Sequence, residues 1–189
     1  MAQAKTLSEK ELRMVLATIA SRRHAARNRA MLLVSFFSGM RVGEIAALKI
    51  GDALAADGSI KDRVVLTADQ TKGNHDRIVM ISDKLRKELS AYVKTLKHLD
   101  VERPLFYSQR TRSGFTANTL CQHFNAMYQS AGISGASSHS GRRSFITNLA
   151  SNGVGVRVLM QLAGHRNLST TQLYIDVTDQ MLSNAVNSI

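Results

Sequence analysis

The sequence predicts a mainly α-helical domain with one small antiparallel β-sheet, and three observations carry that expectation. Apolar residues recur at helical spacing through most of the chain. One proline stands among 189 residues, so little interrupts helical backbone. Only residues 62–67 and 77–81 read as strands, and they flank one short turn-rich link. With 44% hydrophobic residues the chain is long enough to bury a substantial core. No internal repeat, low-complexity tract or interdomain linker divides it, so 1–189 is read as one domain.

Taken in order, Ser8 and Glu11 form a capping box ahead of Leu12, Val15, Leu16 and Ile19, which starts a first helix running to about Ala20. Ser21 to His24 is a basic turn. A second helix carries Met31, Leu32, Val34, Phe36 and Phe37 inward and ends at Gly39, a residue suited to a left-handed cap. Arg41 begins a short third helix. Asp52 to Ser59 is a turn-rich link leading to the first strand. Gln70 to His75 makes the hairpin tip, where Gly73 and Asn74 accept positive φ and Lys72 is held outward. Ser82 caps a long amphipathic helix with Leu85, Leu89, Val93 and Leu96 inward, which breaks near Asp100. The loop from Ser108 to Gly114 is basic and rich in hydroxyls, and its Arg110 and Arg112 suit contact with phosphate. Thr116 caps a helix with Leu120, Phe124 and Met127 at core spacing, ending at Gly132. Further helices run from the Ser138 region to Gly153, from Val156 to Leu162 with Gly164 as the stop, and from a Ser169-Thr170-Thr171 cap with Tyr174 one turn in.

The formal charge is +11, from 25 Lys and Arg against 14 Asp and Glu. That balance implies an acidic partner, with nucleic acid the first candidate, because basic side chains on phosphates release counterions. Cys121 is the single cysteine, so no intramolecular disulfide forms and a reducing, cytosolic setting is expected. The longest apolar run, 30–37, is broken by Ser35 and is too short to span a bilayer, which argues against a membrane role. Cys121 and His123 lack the further ligands of a metal set and read as structural.

Two arginines fall where apolar residues are expected. His139 and Arg142 share a helix side with Phe145, Ile146 and Leu149, and Arg41 shares a stripe with Ile45 and Leu48. A buried guanidinium needs a carboxylate, carbonyls or an anion for its five donors. Each alone admits an ordinary account, in which Arg41 pairs with Glu44 and Arg142 reaches solvent along its stem. Together they form two arms of an anion clamp. His165, just past a glycine cap, reads in isolation as a partner of the helix dipole.

Ser38-Gly39-Met40-Arg41-Val42-Gly43-Glu44-Ile45, the hairpin Thr71-Lys72-Gly73, His139 with Arg142 three residues on, Leu162-Ala163-Gly164-His165, and Tyr174 nine residues after His165 resemble the catalytic domain of tyrosine recombinases, the phage-integrase family. The resemblance covers nearly the whole chain and implies that family's fold, mainly helical with a small antiparallel sheet. It implies site-specific DNA recombination, in which strands are cleaved and rejoined through a 3′-phosphotyrosyl link. Tyr174 would be the nucleophile, Arg41 and Arg142 the phosphate clamp, His139 the base or proton shuttle, Lys72 the general acid, and His165 a phosphate hydrogen-bond donor. Arg110, Arg112 and Arg143 would contact DNA. No metal or other cofactor is expected, since the phosphotyrosyl link conserves the energy of the cleaved bond. Partners would be double-stranded DNA, a homotetramer on synapsed sites, and DNA-bending accessory proteins. The setting would be the nucleoid of a bacterial, phage or plasmid context, in the cytoplasm.

Three departures bear on this. Many members have Leu in place of Gly141 and His in place of Arg143, and a glycine inside a helix weakens it by roughly 1 kcal/mol against alanine. No N-terminal DNA-clamping domain precedes the capping box, which leaves either a piece of a longer protein or a single-domain form like the recombinases that invert fimbrial promoters. Two other functions fit the same residues: a type IB topoisomerase that relaxes DNA without synapsis, and a non-catalytic DNA-binding regulator.

Overall fold

The computed structural model describes residues 3–108, 113–175, 177 and 179–187. The chain runs α1 (Glu9–Ala20), α2 (Ala25–Ser38), α3 (Val42–Ala47), α4 (Ile50–Ala53), β1 (Arg63–Leu66), a 3₁₀ turn (Ala68–Gln70), β2 (Arg77–Met80), α5 (Asp83–Val93), α6 (Ala117–Ser130), α7 (Ser140–Ser151), α8 (Val156–Ala163), α9 (Leu168–Gln172) and α10 (Asp179–Val186). The expected class holds, a helical body carrying one two-stranded antiparallel sheet. No helix among the described residues is long and apolar enough to cross a membrane.

Helix α2 is the axis of the body. Its residues from Ala30 to Val34 are all buried, and it packs against α1, α5 and α7. A helix that is apolar all round belongs inside a core, not on a surface. The expected capping box of α1 is present, with the Glu11 backbone N–H donating to Ser8 Oγ at 3.2 Å and the Ser8 backbone N–H to Glu11 Oε2 at 2.9 Å. Ser82 caps α5 by accepting from the Leu85 N–H alone, and Thr116 forms a capping box with Thr119 on α6.

The glycine inside α7 has a packing reason that helix propensity does not show. A Cβ at Gly141 would stand 2.4 Å from Ser35 Oγ and 2.9 Å from Ser35 Cβ, so its absence lets α7 lie tightly on α2. The helix geometry around Arg142 is therefore set by close approach to α2.

In the sheet, Arg63 pairs with Met80 and Leu66 with Arg77. Val64, Leu66, Arg77 and Val79 face inward, and Val65, Ile78 and Met80 face out. At the hairpin tip Asn74 takes the positive φ expected of it, and Gly73 does not. Two boundaries differ from the sequence reading. Helix α5 ends at Val93, short of Leu96. The α9 cap is Asn167, and Tyr174 lies in the turn after the helix, with its N–H donating to Thr171 O at 3.0 Å.

Candidate active site

The end of α8 organises the site. Gly164 adopts the left-handed conformation, φ 62°, and closes a Schellman cap in which the Gly164 N–H donates to Gln161 O and the His165 N–H to Met160 O. That leaves the carbonyls of Leu162, Ala163 and Gly164 without helical partners, and helix C-termini attract cations. Three arginines take one each. Arg77 Nη2 donates to Leu162 O at 2.7 Å, Arg142 Nη2 to Ala163 O at 2.7 Å, and Arg41 Nη2 to Gly164 O at 3.1 Å. A Cβ at Gly164 would lie 2.5 Å from Arg77 Nε, so the glycine serves both the turn and the close packing of the guanidinium.

The remaining contacts of the arginines decide their character. Arg41, half-buried at the N-cap of α3, donates through Nη1 to Glu44 Oε1 at 2.8 Å. Arg77, buried at the start of β2, donates through Nη1 to Glu44 Oε2 at 2.5 Å. Arg142 reaches no carboxylate among the described residues; its Nη1 donates to Gly39 O, the end of α2, at 2.5 Å. It does not reach solvent either, being 4% exposed. Burial would raise the Glu44 carboxyl, but Arg77 and the N–H and guanidinium of Arg41 outweigh that and hold it below the usual range. Burial acts against the charge of Arg142, and the neighbouring Arg41 and Arg77 add to that pressure. Among the described residues three guanidinium charges thus meet one carboxylate, an excess of positive charge that an anion would relieve.

The other candidates surround this cluster. His139 is the N-cap of α7 and lines two adjoining hollows. One, of about 390 Å³, also includes Arg41, Asp69 and Lys72, and the other, of about 200 Å³, includes Arg142, Arg143 and Tyr174. Burial first, then the charges of Arg142, Arg41 and Lys72, lower the His139 pKa. His165 shares a 2.9 Å hydrogen bond between Nδ1 and Thr171 Oγ1, and its ring stacks on Tyr174 with centroids 5.5 Å apart. Burial and the three arginines push its pKa down to about 4, so it is neutral at pH 7 and Thr171 orients a ring nitrogen. Arg143 places its guanidinium 5.5 Å over the Tyr174 ring. The Tyr174 carbonyl accepts from Thr147 Oγ1 at 3.4 Å.

All six residues singled out as catalytic from sequence are brought together here, and Arg143 joins them. Arg110 and Arg112 lie outside the described residues. Sequence reading missed Arg77. Its signal was present, since an arginine at the inward parity of a strand, two residues before Val79, is as anomalous as one on a helix's apolar stripe. Among the described residues no cluster of three or more His, Cys, Asp or Glu side chains is placed to hold a metal ion.

The model of the phage integrase family matches residues 5–181. The chain belongs to the phage integrase family. Among family relatives, tyrosine recombinase XerA of Pyrococcus horikoshii is 30% identical over 184 residues, covering 96% of this chain and 60% of that protein. Tyrosine recombinase XerC of Lactobacillus leichmannii is 31% identical over 163 residues, covering 83% of this chain and 52% of that one. The family fold is matched in the crystal structure of XerA recombinase, with a TM-score of 0.77 at 27% identity over 100% of this chain and 66% of the other. The XerH site-specific recombinase, solved in a post-cleavage complex with its palindromic difH substrate, gives a TM-score of 0.71 at 25% identity, over 96% of this chain and 51% of that one. The chain thus spans less than two thirds of the length of these relatives.

Proposed function

We propose that this phage integrase family chain cleaves and rejoins DNA strands at specific sites, with Tyr174 as nucleophile. The observation that carries the reading is the gathering of Arg41, Arg77 and Arg142 on the end of α8 with Glu44 as their one carboxylate among the described residues, beside His139, His165 and Tyr174. A phosphodiester is itself anionic, so its transition state needs fixed cations on the non-bridging oxygens more than it needs a strong nucleophile. Among the described residues Arg41 and Arg142 each direct two of five N–H donors to protein acceptors, and the others suit phosphate.

The two hollows that meet at His139 suit an in-line displacement, which requires nucleophile and leaving group on opposite sides of phosphorus. Tyr174 borders one and Lys72 the other. The Tyr174 oxygen attacks phosphorus as the bond to the 5′ oxygen breaks; the phenolic proton passes to His139 and Lys72 protonates the departing oxygen. Neutral His165 donates to a phosphate oxygen and keeps the tyrosine ring stacked. The resulting 3′-phosphotyrosyl link keeps the bond energy for attack by a 5′ hydroxyl of a second duplex, so the scheme draws on no metal or other cofactor. It calls for double-stranded DNA as partner, four protomers on synapsed sites, accessory proteins that bend DNA, and action in the cytoplasm at the nucleoid. Arg110, Arg112 and Arg143 serve as DNA contacts.

The test is trapping of a covalent complex with labelled fragments of the source replicon, resolved on a denaturing gel in the presence of chelator. Wild type is expected to form an adduct that Tyr174→Phe does not. Adduct formation by Tyr174→Phe would overturn the reading, as would salt-sensitive binding of a fragment that neither protein cleaves, the behaviour of a DNA-binding regulator. Supercoil relaxation with no exchange between two sites would assign the same chemistry to a topoisomerase.

A further inference from the structure

The Lys72 hairpin is fastened at one leg and almost loose at its tip. On the near leg, Gln70 Nε2 donates to Ala47 O at 3.0 Å and to Asp52 Oδ2 at 2.7 Å, fixing the 3₁₀ turn to α3 and α4. The tip is closed on itself, with Thr71 Oγ1 donating to His75 O at 2.8 Å and the Asn74 N–H to Thr71 O at 3.2 Å. Among the described residues, one side chain outside the hairpin makes hydrogen bonds to residues 72–76. Arg166 Nη2 donates to Gly73 O at 2.7 Å and lies 3.1 Å from His75 Nδ1. Gly73 allows this closure, since a Cβ there would sit 2.4 Å from His75 Cε1 and 2.5 Å from Nδ1.

We propose that Arg166 is a positioning residue for Lys72, latching the hairpin tip to the segment that follows α8 and so registering the lysine ammonium against the phosphate clamp. Arg166 is the neighbour in sequence of His165, and the three carbonyls just before it are held by Arg77, Arg142 and Arg41. The carbonyl it grips belongs to the residue next to Lys72. Through that one guanidinium the hairpin that carries the proton donor is tied to the segment that carries the clamp. Among the described residues the exposed Arg166 side chain directs its hydrogen bonds at the hairpin alone.

The proposal rests on the reading of Lys72 as the acid that protonates the 5′ leaving oxygen, and the test separates the two. A duplex whose scissile 5′ oxygen is replaced by sulfur releases a thiolate, which leaves without a proton, so a defect in Lys72 placement vanishes on it. Single-turnover adduct formation would be measured on oxygen and sulfur versions of a synthetic duplex carrying the cleavage site mapped by adduct trapping. Arg166→Ala is expected to slow cleavage of the oxygen substrate on the order of 10- to 100-fold, the scale of impaired general acid catalysis, and to cleave the sulfur substrate at about the wild-type rate. Lys72→Ala should show the same rescue, and Arg166→Lys, which keeps one donor for Gly73 O, an intermediate rate. Equal slowing on both substrates, or a loss of DNA affinity that accounts for the slowing, would overturn the proposal and make Arg166 a phosphate contact. Failure of sulfur to rescue Lys72→Ala would instead overturn the role of Lys72, and the Arg166 proposal with it.

Discussion

Among the described residues arginine is buried in two places, and they differ in what is left over. Arg27, 7% exposed on α2, directs Nε and Nη2 to Asn28 Oδ1 at 3.1 and 2.9 Å and Nη1 to Tyr107 O at 2.9 Å, with its face 5.1 Å from the Phe115 ring. Beside it His123 shares a 3.0 Å hydrogen bond with Asn28 and has its pKa pushed to about 4, by burial first and then by Arg27. The cluster at the end of α8 also holds buried arginines and a histidine pushed to about 4. A shifted histidine beside an arginine therefore does not by itself mark a site. At Arg27 one cation is enclosed by acceptors and a ring, whereas at α8, among the described residues, three cations crowd one carboxylate and face open hollows.

The comparison can be broken most sharply at the shared carboxylate. Glu44→Gln removes the carboxylate that Arg41 and Arg77 share, and urea denaturation should show a loss of about 3–5 kcal/mol, the range for breaking a buried ion pair. A loss under 1 kcal/mol would mean the arginines do not need it. Arg142→Lys keeps the charge but not the fork, and single-turnover cleavage should fall by about 10²–10³-fold, the scale of losing one preorganised donor, with little change in Tm. Arg27→Met reverses that pattern. It leaves the Tyr107 carbonyl without its donor and Asn28 Oδ1 with His123 alone, so about 1–3 kcal/mol of stability should go while cleavage at saturating DNA stays within about threefold. If Arg27→Met cleaves as poorly as Arg142→Lys, the two arginine sites are not functionally distinct.

Smaller effects test the packing that holds the clamp. Gly141→Ala gains roughly 1 kcal/mol of helix propensity but drives a methyl into Ser35, and overpacking of about 1–3 kcal/mol should win, lowering stability in denaturant. The histidines set a pH slope. Both His123 and His165 fall from an unfolded value of 6.5 to about 4 in the fold, so their contribution is full above pH 6.5 and is lost as pH falls towards 4. Thermal melts between pH 7 and 5 should therefore show falling Tm. His123→Gln should remove part of the histidine-dependent slope, on the order of 1 kcal/mol once partial exposure is discounted, and leave the share of His165 and His139. An unchanged slope would place the acid sensitivity elsewhere.

Much of this was legible before the structure. Caps at Ser8, Ser82 and Thr116 and stops at Gly39 and Gly164 are local chemistry, since each residue satisfies backbone groups within four positions of itself. Arg41 and Arg142 stood out because a charge on an apolar stripe contradicts its helix period. Arg77 was passed over because a four-residue strand gives its parity only two inward positions to be read from. Tyr174 was placed inside a helix because Ser169 to Thr171 resemble a cap, when Asn167 starts the helix and the chain has turned out of it by Leu173.

By itself the sequence determined the elements, their order and the residue types that phosphate chemistry needs, because capping, periodicity and charge act over a few residues. Only the tertiary structure decided that three arginines from α3, β2 and α7 would converge on three successive carbonyls of α8. It alone gave Gly141 a reason in Ser35 and tied Lys72 to the clamp through Arg166. Those contacts join residues 21 to 123 positions apart. Such pairings carry no local signature, since what selects them is the need to match buried donors with acceptors once the core has closed.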